Sequence, residues 1–408
     1  MSETVTIARL GAGGDGVVEA GGGHVFVPFT LPGELVTIAR EGDRGTLMAL
    51  KQPSPDRVAP ACRHFEDCGG CAVQHMETAA YREWKRQRVI EALAARGIEA
   101  EVAPLVPAMP ATRRRATFTA RREGEGMVLG FNAAMSHRVV AVGECPILLP
   151  ALVEALPALR NLAGLLANTP KPFRLAVTAT LSGLDIDAQG CGTLKEGRRQ
   201  AVTRAVVEAG FARLSIDGEV ILAPKPPQMR FGAVTVNLPP APFLQATADA
   251  ETAMAGLVTA HLAKAKRVAD LFCGSGTFTF PLAGKSAVHA VESDAAALRA
   301  LDHARRHTQG LKPVTIETRD LFRRPLMTRE LEAFQGVVFD PPRAGAEAQA
   351  RQIASSKVRH VASVSCNPAT LARDLRILLD GGYRIESVTP VDQFLWSPHV
   401  EAVALLSR

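Results

Sequence analysis

One cysteine at a strand-to-helix junction is the residue best placed to act as a nucleophile. In Ser363–Leu375, SVSCNPATLARDL, an apolar run ends at Cys366, and Asn367-Pro368 then opens the helical pattern ATLARDLRILL. Asn is favoured as a helix N-cap and Pro at the first helical position. A helix N-terminus carries partial positive charge, which favours a thiolate over a thiol. Near the end of the chain, His399-Val400-Glu401 enters a last apolar run. A lone Glu at a strand start is usually just exposed; Glu401 gains interest only as a base near Cys366.

Two acidic loops are spaced to hold a second reactant. The first is Asp270-Leu-Phe-Cys-Gly-Ser-Gly-Thr277, where a strand ends in Asp and a Gly-rich turn follows. Glycines let backbone approach a ligand closely, although a plain tight turn would look the same. Glu292 ends the next strand, where an acid can bind a ribose diol. There is no GxGxxG and no GK[ST] phosphate loop. The second loop is Phe339-Asp340-Pro341-Pro342-Arg343, after the run GVVF. It puts a carboxylate and a stiff turn at a strand end. A Pro-stiffened loop with a capping Asp is the bland alternative, weakened if this strand joins the sheet that carries Asp270 and Cys366.

The seven cysteines are Cys62, Cys68, Cys71, Cys145, Cys191, Cys273 and Cys366. Cys62-x5-Cys68-Gly-Gly-Cys71 with the distant Cys145-Pro146 makes a four-thiol set suited to an iron–sulfur cluster. Structural zinc competes, but its sites usually come as two CxxC pairs. Clustering and an odd count, with no export signal in MSETVTIARL, favour ligand or catalytic thiols in a reducing cytoplasm over disulfides. Cys191, in QGCGT, has no such partners.

These residues need elements to hold them. The chain has 408 residues, 47% hydrophobic and 22% charged, with a net charge of +6 and a pI near 9.1. That suits two or three soluble domains and hints at an anionic partner. No run of about 18 uncharged apolar residues occurs, so no membrane span is expected; Pro146–Ala167 comes nearest and is interrupted by Pro150, Glu154, Pro157 and Arg160. Residues 1–52 alternate short apolar runs with Gly-rich turns, which suggests a small β-barrel of the OB type. Its charge does not favour nucleic acid, with six acids against three arginines in residues 1–50.

Residues 53–61 form a linker. Thr78–Arg96 should be an amphipathic helix burying Tyr81, Trp84, Val89, Ile90 and Leu93. From Pro104 to Pro240 a mixed, mostly β pattern is expected, with basic groups at Arg113, Arg114, Arg115, Arg121 and Arg122 around Phe118, and at Lys195, Arg198, Arg199 and Arg204. Arginines interleaved with aromatics suit RNA, although each one alone reads as solvated surface. After Pro239–Pro242 strands and helices alternate. Strands are expected at Arg267–Phe272, Ala287–Val291, Val314–Glu317, Gly336–Asp340, His360–Ser365, Tyr383–Pro390 and Val400–Leu406. Such alternation implies a mostly parallel, doubly wound sheet with its ligand beyond the carboxyl strand ends.

Together these motifs resemble the uracil-5 RNA methyltransferase family, whose members are S-adenosylmethionine-dependent and of class I. The matches are Cys62/Cys68/Cys71/Cys145, Asp270–Gly276, Asp340–Gly345, Ser365–Leu375, His399–Glu401 and the Phe243-Leu244-Gln245 segment. VTIARLGAGGDGVV and VFVPFTLPGE look like the family's accessory TRAM domain. Thr247 and Thr277 depart from the pattern, in which Asn is common at both places, yet each keeps a hydrogen-bonding group.

The resemblance implies an α/β Rossmann-like methyltransferase domain with an N-terminal OB-type β-barrel (TRAM) and a mixed, mostly β central domain. The expected boundaries are 1–56, 57–240 and 241–408. It assigns Cys366 as nucleophile and Glu401 as base. It places Gln245, Phe272, Thr277, Glu292, Asp320 and Asp340 around S-adenosyl-L-methionine, and a structural [4Fe-4S] cluster on Cys62, Cys68, Cys71 and Cys145. The implied partner is RNA, with 23S ribosomal RNA ahead of transfer RNA, met by a monomeric chain in the cytoplasm. A methyltransferase acting on nitrogen, with Cys366 only structural, and a non-catalytic RNA-binding protein are the other readings; a covalent RNA adduct and cofactor binding separate them.

Overall fold

The computed structural model describes residues 2–20 and 23–408. The strand–helix alternation builds one seven-stranded sheet from β1 (Arg267–Leu271), β2 (Ala287–Glu292), β3 (Val314–Thr318), β4 (Gly336–Phe339), β5 (His360–Ser365), β6 (Arg384–Val391) and β7 (Glu401–Ser407). Their order is β3-β2-β1-β4-β5-β7-β6. The first five strands are parallel, and β7 runs antiparallel to both β5 and β6. Parallel strands are covered on both faces, which is why β4, GVVF, is buried throughout.

Two consequences set the site. The strand order reverses between β1 and β4, so a crevice opens beyond their carboxyl ends. Asp270, Glu292, Asp340 and Cys366 all stand at or just past such ends. The reversed β7 brings its amino end to the same side: Ser365 pairs with Ala402, so Cys366 and Glu401 leave neighbouring strands together.

The longer helices that cover this sheet are α1 (Thr78–Ala94), α2 (Ala248–His261), α3 (Ala295–Arg306), α4 (Glu347–Ser355) and α5 (Pro368–Asp380). Met254 and Val258 of α2 and Leu298 and Leu301 of α3 pack with Val268, Val338 and Val403 on one face. Val89 and Leu93 of α1, Ile353 of α4 and Leu371 and Leu375 of α5 pack with Leu271, Val337 and Phe339 on the other. Thr247 caps α2, its hydroxyl accepting from Ala250 N at 3.3 Å. The stripe that α1 buries is Tyr81, Lys85, Val89 and Leu93. Trp84 and Ile90, expected inside, are only partly covered, and a lysine takes the interior place. The exposed edge of β6 is closed by the segment after α1, through Val102–Val388 and Val106–Val391 bridges.

The middle of the chain forms a second seven-stranded sheet, antiparallel except where Gly183–Gln189 runs parallel to Arg213–Ile216. That parallel pair needs a crossover, which the helix Glu196–Glu208 supplies. The region is thus mixed, with helices packed on a predominantly β frame. The apolar stretch before Ala167 folds as the helix Leu156–Leu166, whose Leu159, Leu162 and Leu166 are buried in this core. Among the described residues, no helix is long and apolar enough to cross a membrane.

The amino-terminal strands make a six-stranded sheet around Ile7, Val18, Val25, Val27, Val36 and Ile38. Glu34 ties it to the linker: its carboxylate accepts from Arg57 Nε at 2.5 Å and Nη2 at 2.9 Å, and from Leu31 N and Ser54 N. Burial pushes this carboxyl up, but those four donors outweigh it and hold it below the usual range.

Candidate active site

Cys366 sits on the turn that starts α5. Asn367 caps the helix, its Oδ1 accepting from Ala369 N at 3.1 Å, with Pro368 at the first position. Asn367 Nδ2 also donates to Arg343 O at 3.2 Å, and Thr370 Oγ1 donates to the same carbonyl at 3.3 Å. The Asp340-Pro-Pro-Arg turn is thereby fastened to the Cys366 turn. Gly345 is required there: its φ is 74°, and a Cβ would meet Arg373 Nη2 at 2.5 Å.

The thiol does not rest as the thiolate that a helix terminus alone would suggest. Burial, then the carboxyls of Glu401 and Asp340, push Cys366 up to about 11, with Arg343 pulling the other way. Capping residues are legible in sequence; two distant carboxyls facing the sulfur are not.

Glu401 is buried, against the default for a strand-start glutamate. Gln393 Nε2 donates to Glu401 Oε1 at 2.8 Å and to Gln245 Oε1 at 2.7 Å. Gln245 Nε2 in turn donates to Asp340 Oδ2 at 3.2 Å. A chain of two amides thus links the two carboxyls beside the cysteine. Burial pushes Glu401 up to about 7, opposed by the Gln393 bond, Arg115 and Lys85. Asp340 is pushed well above the carboxylate range by burial, Glu401 and Asp270. Sequence reasoning missed Gln393. An uncharged amide two residues past β6 carries no signal of its own, and only the sheet's reversal at β7 puts it beside Glu401.

The Gly-rich loop lies at the end of β1. Phe272 has φ 62°, a left-handed backbone that is costly for a bulky residue and recurs at functional turns. Gly276 has φ 107°, and a Cβ there would meet the Phe280 ring at 2.5 Å. Asp270 is fully buried with Thr279 Oγ1 donating to Oδ2 at 2.5 Å, while Oδ1 has no partner among the described residues. Burial, with Glu292 adding, pushes it up to about 7. Glu292 accepts from Gly274 N at 3.1 Å and from Ser293 N and Asp294 N. Asp320 lies past β3 and accepts from Phe322 N at 3.0 Å. The half-exposed Phe322 ring stands 5.5 Å from Phe272, an aromatic pair the motifs did not flag. Thr277 is half-buried on the same loop.

Cys62, Cys68, Cys71 and Cys145 line one cavity of about 1090 Å³, whose wall also includes Cys366. Burial pushes Cys71 up to about 12, with the other three thiols adding. Backbone N–H groups point at the sulfurs: His64 N donates to Cys62 Sγ at 3.4 Å, Gly70 N to Cys68, and Ile147 N and Leu148 N to Cys145. A Cβ on Gly69 would meet Ala134 N at 2.9 Å, and one on Gly70 would meet Cys68 Sγ at 3.4 Å. Among the described residues, no group of three or more His, Cys, Asp or Glu is placed to hold a single metal ion. Cys191 stays apart, buried in the central core.

The basic groups divide. Arg114 is buried, bonded to Glu251 Oε2 at 2.5 Å and Gln245 O at 3.0 Å, so it braces the site from behind. Phe118, expected among RNA-facing aromatics, is fully buried and stacked on Phe131 at 5.0 Å. Arg198 caps carbonyls of Leu165 and Ala167, and Arg199 pairs with Glu196. Arg113 remains on the cavity wall, its guanidinium 5.4 Å from the Phe394 ring.

Known proteins resemble the chain at three levels. The sequence profile of the tRNA (uracil-5-)-methyltransferase family matches residues 236–408. Over 404 residues the chain is 60% identical to an uncharacterised RNA methyltransferase of Brucella melitensis, covering 99% of this chain and 97% of that one. It is 34% identical to the 23S rRNA (uracil(1939)-C(5))-methyltransferase RlmD of Halomonas elongata, covering 99% and 89%. Its fold matches that of the Pyrococcus abyssi tRNA (uracil-54, C5)-methyltransferase, solved with S-adenosyl-L-homocysteine. The TM-score is 0.77, with 23% identity and 99% of each chain covered.

Proposed function

The chain belongs to the uracil-5 RNA methyltransferase family, and on that premise we propose that it makes 5-methyluridine with Cys366 as nucleophile and Glu401 as base. The observation that carries this is the β5–β7 register: it sets a thiol and a buried carboxyl on adjacent strand ends, at the crevice between β1 and β4. A flipped-out uridine would enter there.

Carbon 5 of uracil is too weak a nucleophile to attack a methyl sulfonium unaided. Cys366 Sγ, as thiolate, adds to carbon 6 and leaves an enolate whose carbon 5 takes the methyl group. Glu401 then removes the carbon 5 proton, the carbon 5–carbon 6 double bond re-forms, and Cys366 leaves as thiolate. S-adenosyl-L-methionine would supply the methyl group, its S–CH3 bond breaking as S-adenosyl-L-homocysteine leaves with the electron pair. Cys366, Asp340 and Glu401 all resist ionisation in the free chain. Each ionises more readily beside a positive sulfonium. Gln245 and Asp340 offer amide and carboxyl contacts to the uracil edge and the cofactor. Glu292 suits the ribose, and Asp320 with Phe272 and Phe322 suits the adenine.

Cys62, Cys68, Cys71 and Cys145 would hold a [4Fe-4S] cluster. The fit rests on four thiols around one cavity, each met by a backbone N–H or another thiol's field, and on glycines where a side chain would collide. A cluster spreads its ligands over several irons, so the thiols need not converge on one point. Its part would be to hold the surrounding loops. Residues 1–56 are read as a TRAM-like OB module and 57–240 as a central domain that together grip RNA, with 241–408 catalytic. Large-subunit ribosomal RNA is the proposed substrate, since the 34% identity to the ribosomal enzyme spans the whole chain. Mapping 5-methyluridine in RNA from a deletion strain tests this: loss from ribosomal RNA is expected, and loss only from transfer RNA would overturn it.

A further inference from the structure

Lys85 lies in the middle of α1 with no exposed surface, facing Asp392, whose side chain is also fully buried. Burying an ion pair is costly, and a well-packed apolar pair often holds a core as well or better. Where the bonds go suggests another purpose. Lys85 Nζ donates to Asp392 Oδ1 at 2.6 Å and to Phe394 O at 3.0 Å. Asp392 Oδ1 also accepts from Phe394 N at 2.8 Å, and Oδ2 accepts from Tyr81 Oη at 2.6 Å. The residues on both sides of Gln393 are thus fixed, and Gln393 holds Glu401.

The middle of the same loop is fixed too. Trp396, at φ 58°, donates its N–H to Tyr81 Oη at 2.9 Å, and its carbonyl accepts from Ala72 N at 2.8 Å and Val73 N at 3.1 Å. A non-glycine residue in that region persists only where its surroundings impose it. The loop between β6 and β7 is therefore held by α1 and the cysteine segment as well as by its own Asp392–Phe394 turn.

We propose that Lys85 is a positioning residue for methyl transfer: it clamps Asp392 and Phe394 about Gln393, and Gln393 aims the Glu401 carboxylate. This rests on Glu401 being the base. Lys85 touches no reacting atom; it acts through the loop.

The test is the double variant Lys85→Met/Asp392→Leu, which removes both charges and keeps the volume apolar. It should still fold, at a lowered melting temperature because Phe394 N, Phe394 O and Tyr81 Oη lose their partner, and leave KM for RNA within about threefold, while kcat falls on the order of 100-fold. The methylated RNA–protein adduct should persist on denaturing gels, because proton removal is the step impaired. Tyr81→Phe, which deletes the bond to Asp392 and the bond from Trp396 N without unpairing a buried charge, should show the same split with a smaller loss. Wild-type kcat and no adduct in the folded double variant would overturn the proposal. Glu401→Gln is the control: if it traps an adduct while the double variant turns over normally, only the positioning role falls. If it traps none, the base assignment falls and the proposal with it.

Discussion

The Gln393 side-chain nitrogen lies 2.8 Å from Glu401 Oε1, and the same nitrogen lies 2.7 Å from Gln245 Oε1. Two amides in series, Gln393 and Gln245, therefore set the distance between the carboxyl on β7 and the carboxyl after β4. A base held by a single hydrogen bond from a buried amide is oriented but stays free to take a proton.

Gln393→Ala should keep RNA and cofactor binding and lower kcat on the order of 100-fold, as misplacing a reacting group by about 1 Å does. Steady-state kinetics that separate kcat from KM check this. A change confined to KM would assign Gln393 to substrate binding.

The pH dependence follows from Glu401. Its carboxyl is raised from 4.5 to about 7, so it is protonated below neutrality and able to act as a base only above. Gln393, Arg115 and Lys85 face it, with Asp340 and Cys366 across the cleft. The methylation rate should rise at least about tenfold per pH unit below 7 and go on rising above it, because the Cys366 thiol, pushed up to about 11, must ionise as well. The same shift makes this group's contribution to stability complete below 4.5 and lost as pH rises through about 7, because the folded chain keeps a proton that the unfolded chain releases. A rate already flat at pH 5.5 would contradict the assignment.

Phe322→Ala should weaken S-adenosyl-L-methionine binding about tenfold, the scale of one aromatic contact, without altering the melting temperature much, since the ring is 50% exposed. Calorimetric titration measures the affinity and a thermal melt the stability. Unchanged affinity would remove Phe322 from the cofactor site.

Protein purified without oxygen should carry iron and sulfide in equal amounts on Cys62, Cys68, Cys71 and Cys145. Cys68→Ser should lose both, with the loop near Gly69 and Gly70 becoming sensitive to protease. Colourless wild-type protein with stoichiometric zinc would contradict the cluster.

Much of the fold was legible because its signals are local. The runs of β4, GVVF, and β5, HVASVS, are buried almost throughout, as strands covered on both faces require, and the Asn367-Pro368 start of α5 is set by capping chemistry. What was not legible depends on long-range placement. Phe118 reads as an aromatic among arginines until its strand is seen to turn it into the core. Lys85 reads as the wet face of α1 until Asp392, distant in sequence, lies against it. The Cys366 thiol reads as activated by its helix until Glu401 and Asp340 are placed opposite.

The central claim is that Cys366 and Glu401 act on one uridine from adjacent strands. The direct measurement is denaturing electrophoresis of Glu401→Gln after incubation with labelled RNA and S-adenosyl-L-methionine. The account predicts a slow-migrating covalent complex bearing a methyl group, absent when Cys366→Ala is added. No complex with Glu401→Gln, or one that survives Cys366→Ala, would contradict it.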